Sequence, residues 1–220
     1  MKNKLFLYDF RIMIFPFIKR SIDIASSLIL IVIFSPVFVI TAIIIKLTSP
    51  GPVFFKQERV GKNSLFYMYK FRSMRCGDND KFLRENYPVL WEKYKKNDWK
   101  LSADEDPRIT PIGKFIRATS IDEMPQFLNV LQGNMSLVGP RAYRDEELKE
   151  YSEKYPQTQK YIKDIRSIKP GITGPWQVSG RNDLSFEKRA KLDSDYAKNR
   201  SILNEFIIIL KTPLAMFSRW

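Results

Sequence analysis

The sequence predicts a mixed α+β fold, rich in helix, with a small sheet, helices lying along a membrane surface and an N-terminal re-entrant membrane helix. Three observations lead there. Residues 24–45 carry no charge and are interrupted at Ser35-Pro36. Two short runs, 53–57 and 65–71, flank a Gly61-Lys62-Asn63 turn and read as strands. Beyond residue 76 the pattern is chiefly helical, punctuated by Gly and Pro.

The N-terminal arm, residues 1–20, sets Lys2, Lys4, Arg11, Lys19 and Arg20 against Asp9 alone. The 22 uncharged residues of 24–45 would reach about 33 Å as a helix, enough to cross a bilayer core. The run is too long for a cleavable signal peptide and lacks a small-x-small exit site. A single kinked span is one reading. A hairpin that enters and leaves one leaflet is favoured by two features. Pro36 cannot donate to the Val32 carbonyl and bends the helix, while Ser35 can bond back to Ile31. Lys19 and Arg20 precede the run and Lys46, Lys56, Arg59 and Lys62 follow it, so the positive-inside rule places both ends on the cytoplasmic side.

Ser49-Pro50-Gly51-Pro52 then makes a turn. The second strand ends in YKFRSMR, and alternation puts Lys70 and Arg72 on one face, either a basic site or a solvated one. Residues 76–103, with Trp91, Tyr94 and Trp99, read as a helical insertion over the core or at the membrane interface. Lys114 and Arg117 can share a helix face beside the run SIDEMPQ that begins at Ser120. That run places Asp122 and Glu123 at the start of a helix whose apolar face is Phe127, Leu128, Val130 and Leu131, with Gly133 as its stop. Pro125 is tolerated only in a first turn, which sets the N-cap close to Asp122. Two acids there are either ordinary capping residues or a reactive pair whose charge the helix end stabilises and keeps ionised.

After Gly133, residues 135–138 form a strand that runs into Gly139-Pro140-Arg141, a turn able to aim a guanidinium at a phosphate or simply at solvent. Residues 146–168 read as amphipathic helix. Residues 169–182 pack three glycines and two prolines around Trp176 and end on Arg181-Asn182, a rigid loop whose backbone N–H groups suit a nucleotide or phosphate. A helix over 185–199 follows, then the apolar stretch 202–210 with Pro213, Met216, Phe217 and Trp220 as core or interfacial helix.

Composition narrows the chemistry. A net charge of +13 calls for an anionic partner. The absence of histidine excludes His-based triads, bases and metal sites, and the single Cys76 excludes an internal disulfide or a cysteine zinc cluster. A nucleic-acid binder would leave the apolar run unexplained. A membrane-bound scaffold that uses its charge only to bind anionic lipid is the main non-enzymatic alternative, but adhesion gives no reason for Asp122-Glu123 among basic motifs.

Taken together and in order, the Ser-Pro-broken helix, KFRSM, DPRIT, SIDEMPQFLNVLQGNMSLVGPR and PGITGPWQVSGRN resemble the bacterial sugar transferase family, the small monotopic polyprenyl-phosphate phosphoglycosyl transferases. The resemblance implies transfer of a sugar-1-phosphate, with galactose or glucose as the sugar, from a UDP-sugar to undecaprenyl phosphate. UMP is released and Mg²⁺ is required. It implies Asp122 as the nucleophile, forming a phosphosugar-aspartyl intermediate, with Glu123 helping Asp122 to hold Mg²⁺. It also implies Lys70 and Arg141 as phosphate ligands and Ser35-Pro36 as the helix break. Arg72, Trp176 and Arg181 complete the expected substrate-binding set. Residues 1–48 are then the basic arm and re-entrant helix, and 49–220 a catalytic domain with interfacial C-terminal helices on the cytoplasmic face of the bacterial inner membrane. Expected partners are the two substrates and membrane lipids, with a homodimer as one oligomeric option and no nucleic acid. Larger relatives carry four spans and another domain ahead of this unit, so the chain is expected to be the minimal catalytic form. Met124 and Pro175 stand where the family often has Leu, and Asn204-Glu205 where it often has Asp.

Overall fold

The computed structural model describes residues 2–97, 101–180 and 184–217, with side chains described for the part of these between residues 14 and 215. In chain order the elements are α1 (Lys2–Thr48), β1 (Phe54–Val60), β2 (Leu65–Phe71), α2 (Asn79–Asn86), α3 (Pro88–Lys96), α4 (Pro111–Ala118), α5 (Gln126–Leu131), β3 (Ser136–Val138), α6 (Asp145–Lys154), α7 (Gln159–Arg166), β4 (Gly171–Thr173), α8 (Pro175–Val178), α9 (Phe186–Lys198) and α10 (Ile202–Phe217). The helix-rich mixed fold is as the sequence predicts, but the expected single small sheet is two separate two-stranded sheets, β1 with β2 and β3 with β4. Helix α1 runs through Ser35 and Pro36 without interruption, so the Ser-Pro step is accommodated inside it. Its segment Ile14–Thr48 is long and apolar enough to cross a membrane, and little of it is buried in the protein.

The chain gathers into two compact units that cut across the expected boundary at residue 48. One takes α1 to Ile33, residues 57–68 and the chain from Gln126 onward; the other takes residues 34–56 and 69–125. In the second unit Ile45, Phe71 and Ile116 form a small core, with Phe38, Ala42, Val53, Ile112 and Ile121 against it. Local chemistry fixes its helix starts. Asp78 caps α2 by accepting from the Asp80 and Lys81 amides, Pro88 opens α3, and Thr110 followed by Pro111 opens α4. The expected insertion is thus the pair α2–α3; Trp99 lies outside the described residues. Arg108, buried against Asp106 at 2.8 Å and reaching Asp80 at 3.0 Å, ties that pair to the DPRIT turn.

In the first unit β3 and β4 run parallel, Ser136 opposite Gly171 and Val138 opposite Thr173. Phe66, Met68, Val130, Met135, Leu137, Val138 and Tyr196 build the core around them. A second cluster of Tyr143, Leu148, Ile165, Phe186 and Ala190 joins α6, α7 and α9. Helix α5 ends at Gly133, whose φ of +84° is the left-handed stop the sequence predicts. Its buried face differs from the predicted one. Leu128 is exposed, while Gln126 and Asn129 are buried, because the Asn129 amide donates to the Tyr67 carbonyl at 2.7 Å.

The glycine-rich loop is also used differently from expectation. Its glycines let main chains touch. A Cβ on Gly174 would sit 1.9 Å from the Gly139 carbonyl oxygen, and one on Gly139 would sit 2.6 Å from Gly171 N and Lys169 O. The Gly171 amide is spent on the Pro140 carbonyl at 2.9 Å. The Gly139-Pro140-Arg141 turn is therefore clamped from β4. It is also held from α9, where the fully buried Asp193 accepts from the Arg141 amide at 3.1 Å. Burial pushes the Asp193 carboxyl up to about 7, against the pull of the Arg141 amide and of the Arg141 and Arg189 charges.

Two stability outcomes follow. Gly174→Ala has no room and lowers unfolding free energy by about 2–3 kcal/mol, measured by denaturant titration in detergent. Gly77→Ala, with nothing within 4 Å of its Cβ, carries only the strain of its positive φ. Asp193 holds a proton in the folded state that an ordinary aspartate, near 3.8, has released. Its favourable contribution is full below about pH 4 and is lost as the pH rises through about 7. Asp193→Asn removes that loss, so the stability of the variant relative to wild type increases from pH 4 to pH 8.

Candidate active site

The acid pair is built by a change of backbone direction. Ser120 adopts a left-handed conformation (φ 56°), and Ile121–Glu123 form a single 3₁₀ turn. Regular helix resumes only at Gln126. The carboxylates therefore precede α5 and do not sit in its first turn, because Pro125 with its missing N–H ends the 3₁₀ turn. Asp122 is 6% exposed. Glu123 is more open and bonds Lys70 Nζ at 2.6 Å, which stands 4.0 Å from Asp122 Oδ2. Lys70 comes from β2, so strand and acid turn converge as the sequence expects.

The charge balance differs from expectation. Burial pushes the Asp122 carboxyl up to about 6; Lys70 and, more weakly, Arg117 pull it down, while the Glu123 charge adds to the rise. Desolvation dominates, and a helix end does not hold Asp122 ionised. Asp122 Oδ1 is buried with no hydrogen-bond partner among the described residues. A carboxylate oxygen left unsatisfied in this way has its lone pairs available for a ligand. Arg117 contributes through charge alone; sequence spacing placed it near this turn without revealing that role.

Arg72 does not share the face of Lys70. It is 5% exposed and donates to the Ser49 carbonyl and hydroxyl, both at 2.8 Å, and to the Pro50 carbonyl. The strand ends at Phe71, so alternation no longer governs the next residue. The guanidinium ties down the Ser49-Pro50 turn, and its Nε is buried without a hydrogen-bond partner among the described residues.

The first unit holds a second cluster. The Arg141 guanidinium carbon lies 4.9 Å from the Trp176 ring centroid, and that of Arg189 lies 5.9 Å from it. Trp176 is buried, so its ring supports two arginines. Glu147 stands 4.0 Å from Arg141 Nε and 3.9 Å from Arg59. Arg141 Nε, Arg189 Nε and Trp176 Nε1 are buried without hydrogen-bond partners among the described residues, which leaves donors for an anion. Arg189 and Asp193 were not singled out from the sequence: they lie one helical turn apart in a charged run whose composition reads as solvated surface. Arg181 lies outside the described residues.

Among the described residues no group of three or more His, Cys, Asp or Glu could by itself hold a metal ion. The pair Asp122–Glu123 supplies the one or two carboxylates that Mg²⁺ commonly takes while it completes its shell with water and substrate phosphate.

The profile described as bacterial sugar transferase matches residues 14–219. An undecaprenyl-phosphate galactose phosphotransferase of Salmonella typhimurium is 42% identical over 92% of this chain and 41% of its own length. The galactosyl transferase CpsE of Streptococcus agalactiae is 44% identical over 88% of this chain and 41% of its own. The exopolysaccharide production protein ExoY of Sinorhizobium fredii is 35% identical over 91% of this chain and 86% of its own. The chain thus spans about two fifths of the length of some relatives and most of others. With a profile covering nearly its whole length, the chain belongs to the bacterial sugar transferase family.

Proposed function

We propose that this protein transfers a sugar-1-phosphate from a UDP-sugar to undecaprenyl phosphate and releases UMP, as an early step in surface polysaccharide synthesis. The observation that carries the reading is the buried, unsatisfied Oδ1 of Asp122 beside the Lys70–Glu123 ion pair. Relatives named for galactose, glucose and N-acetylgalactosamine transfer to undecaprenyl phosphate support the substrate class.

The chemistry follows from the residues. Asp122 Oδ1 attacks the phosphorus that carries the sugar, and the bond from that phosphorus to the bridging oxygen breaks. UMP leaves with the electron pair. An oxygen of the lipid phosphate then attacks the aspartyl-bound phosphorus, and the Asp122 carboxylate departs unchanged. Splitting one displacement into two suits a chain without histidine, since a carboxylate needs no base to attack. Lys70 neutralises charge at the donor phosphate, and Arg141, held over Trp176, binds a pyrophosphate oxygen. Asp122 and Glu123 would hold Mg²⁺, which when bound offsets the charge of the pyrophosphate.

Placement at a membrane rests on α1 and α10. Residues 24–45 of α1 form the apolar run, and α10 leaves Leu203, Phe206, Leu210 and Leu214 exposed, a stripe suited to the interface. With basic residues on both flanks of the run, the two flanks of α1 are drawn to the cytoplasmic face of the inner membrane, and any bend at Ser35-Pro36 lies within one continuous helix.

Incubating the protein with undecaprenyl phosphate and a panel of UDP-sugars, and separating nucleotides by chromatography, tests the reading. UMP appears with one sugar, galactose or glucose being expected, and chelating Mg²⁺ stops its release; UDP as product contradicts it. Asp122→Asn lowers turnover by roughly three orders of magnitude or more while the protein stays membrane-bound. Lys70→Met raises the KM for the UDP-sugar.

A further inference from the structure

Asn204-Glu205 stand where the family resemblance leads one to expect Asp, and the structure places Glu205 in a buried polar network. One Glu205 oxygen accepts from Lys19 and the other contacts the Tyr196 hydroxyl. Lys19 Nζ also donates to the Val138 carbonyl at 3.1 Å, and Tyr196 reaches the same oxygen at 3.1 Å. One helical turn beyond Lys19, Asp23 accepts from the Leu137 amide at 3.1 Å and from the Ser136 hydroxyl at 2.8 Å. Two side chains of α1 therefore grip three successive residues of β3, and α10 joins them through Glu205. Asp23 and Glu205 are 4% and 8% exposed.

Packing alone would be a simpler way to dock a helix. Buried charges bring a large desolvation cost and add little net stability, and their best-attested use is to fix one geometry. What this network fixes is informative. Val138 is three residues from Arg141, and the link between them cannot flex freely. Gly139 is wedged against the main chain of β4, Pro140 has a ring-locked φ, and the Arg141 amide is bound to Asp193. Helix α1 thus reaches this carbonyl directly through Lys19, and α10 reaches it by way of Lys19 and Tyr196, a rigid step away from a guanidinium.

We propose that Lys19, Asp23 and Glu205 are positioning residues that lock α1 and α10 onto β3 and so set the place of Arg141 relative to the lipid surface. This rests on Arg141 binding the donor pyrophosphate. Placement by α1 and α10 then decides how well Arg141 meets its substrate, and loss of Glu205 acts on catalysis even though it touches no reacting atom.

The test uses the full chain in lipid nanodiscs, with Glu205→Gln, Glu205→Asp, Lys19→Met, Asp23→Asn and the Lys19→Met/Glu205→Gln double variant. Kinetics are taken at a temperature where each is folded, and amide exchange is followed at Leu137. Glu205→Gln is expected to stay folded and membrane-bound but to lose about tenfold or more in kcat/KM, chiefly through KM for the UDP-sugar. Glu205→Asp recovers part of the loss, and the double variant is no worse than the single ones. Asp23→Asn speeds exchange at Leu137. Folded Glu205→Gln with wild-type KM and kcat, a lowered melting temperature with unchanged kinetics, or unchanged exchange in Asp23→Asn each overturns the proposal. Wild-type protein that turns over no UDP-sugar would instead defeat the functional reading, leaving the exchange result to judge the lock itself.

Discussion

Keeping Asp122 at 6% exposure next to a second acid is the constraint that the acid turn has to meet. Removing a carboxylate from water costs several kcal/mol. The cation that answers it is Lys70, and at 4.0 Å with an effective dielectric near 20 their attraction is about 4 kcal/mol. The carboxyl still lies near 6, so burial outweighs the attraction. The result is a carboxylate that is mostly ionised at neutral pH and poorly solvated, with one oxygen unclaimed. Those are the properties of a usable nucleophile. The small core of Ile45, Phe71 and Ile116 is what holds the end of β2, and with it Lys70, in place.

The Arg141 cluster solves the opposite problem, two guanidinium groups beside one ring. Trp176 offers its face, Glu147 offsets part of the charge, and the buried Arg141 and Arg189 Nε atoms have no hydrogen-bond partner among the described residues. The glycines of the loop after Lys169 serve that arrangement indirectly. By letting β4 lie directly on Gly139, they fix the turn from which Arg141 projects.

Much of this was legible in the sequence where a residue has one strong local preference. Gly133 announced its position, the apolar run announced α1, and the order of motifs announced the family, whereas the helix break expected at Pro36 is absorbed within a continuous α1. Lys70 opposite Asp122-Glu123 was legible through that order and not through chemistry. Three things were hidden for physical reasons. Arg72 lies just past the strand end, where alternation lapses. Asn129 looks like a surface residue, but its amide finds a main-chain carbonyl inside. Lys19, Asp23, Asp193 and Glu205 are charged, so composition assigns them to solvent, and only the tertiary fold shows that partners make their burial tolerable. Periodicity also gave the acids a helix start, whereas Ser120 and Pro125 together enforce a 3₁₀ turn ahead of the helix.

The central claim is that Asp122 becomes covalently joined to the phosphorus of the donor. Incubating the protein with UDP-sugar labelled at the sugar-bearing phosphate, without lipid acceptor, and locating label by peptide mass spectrometry after acid quench addresses it directly. The account predicts label on the peptide containing Asp122, lost when undecaprenyl phosphate is added and absent in Asp122→Asn. Protein that turns over normally with acceptor yet carries no label without it, or carries label on another residue, would contradict the account.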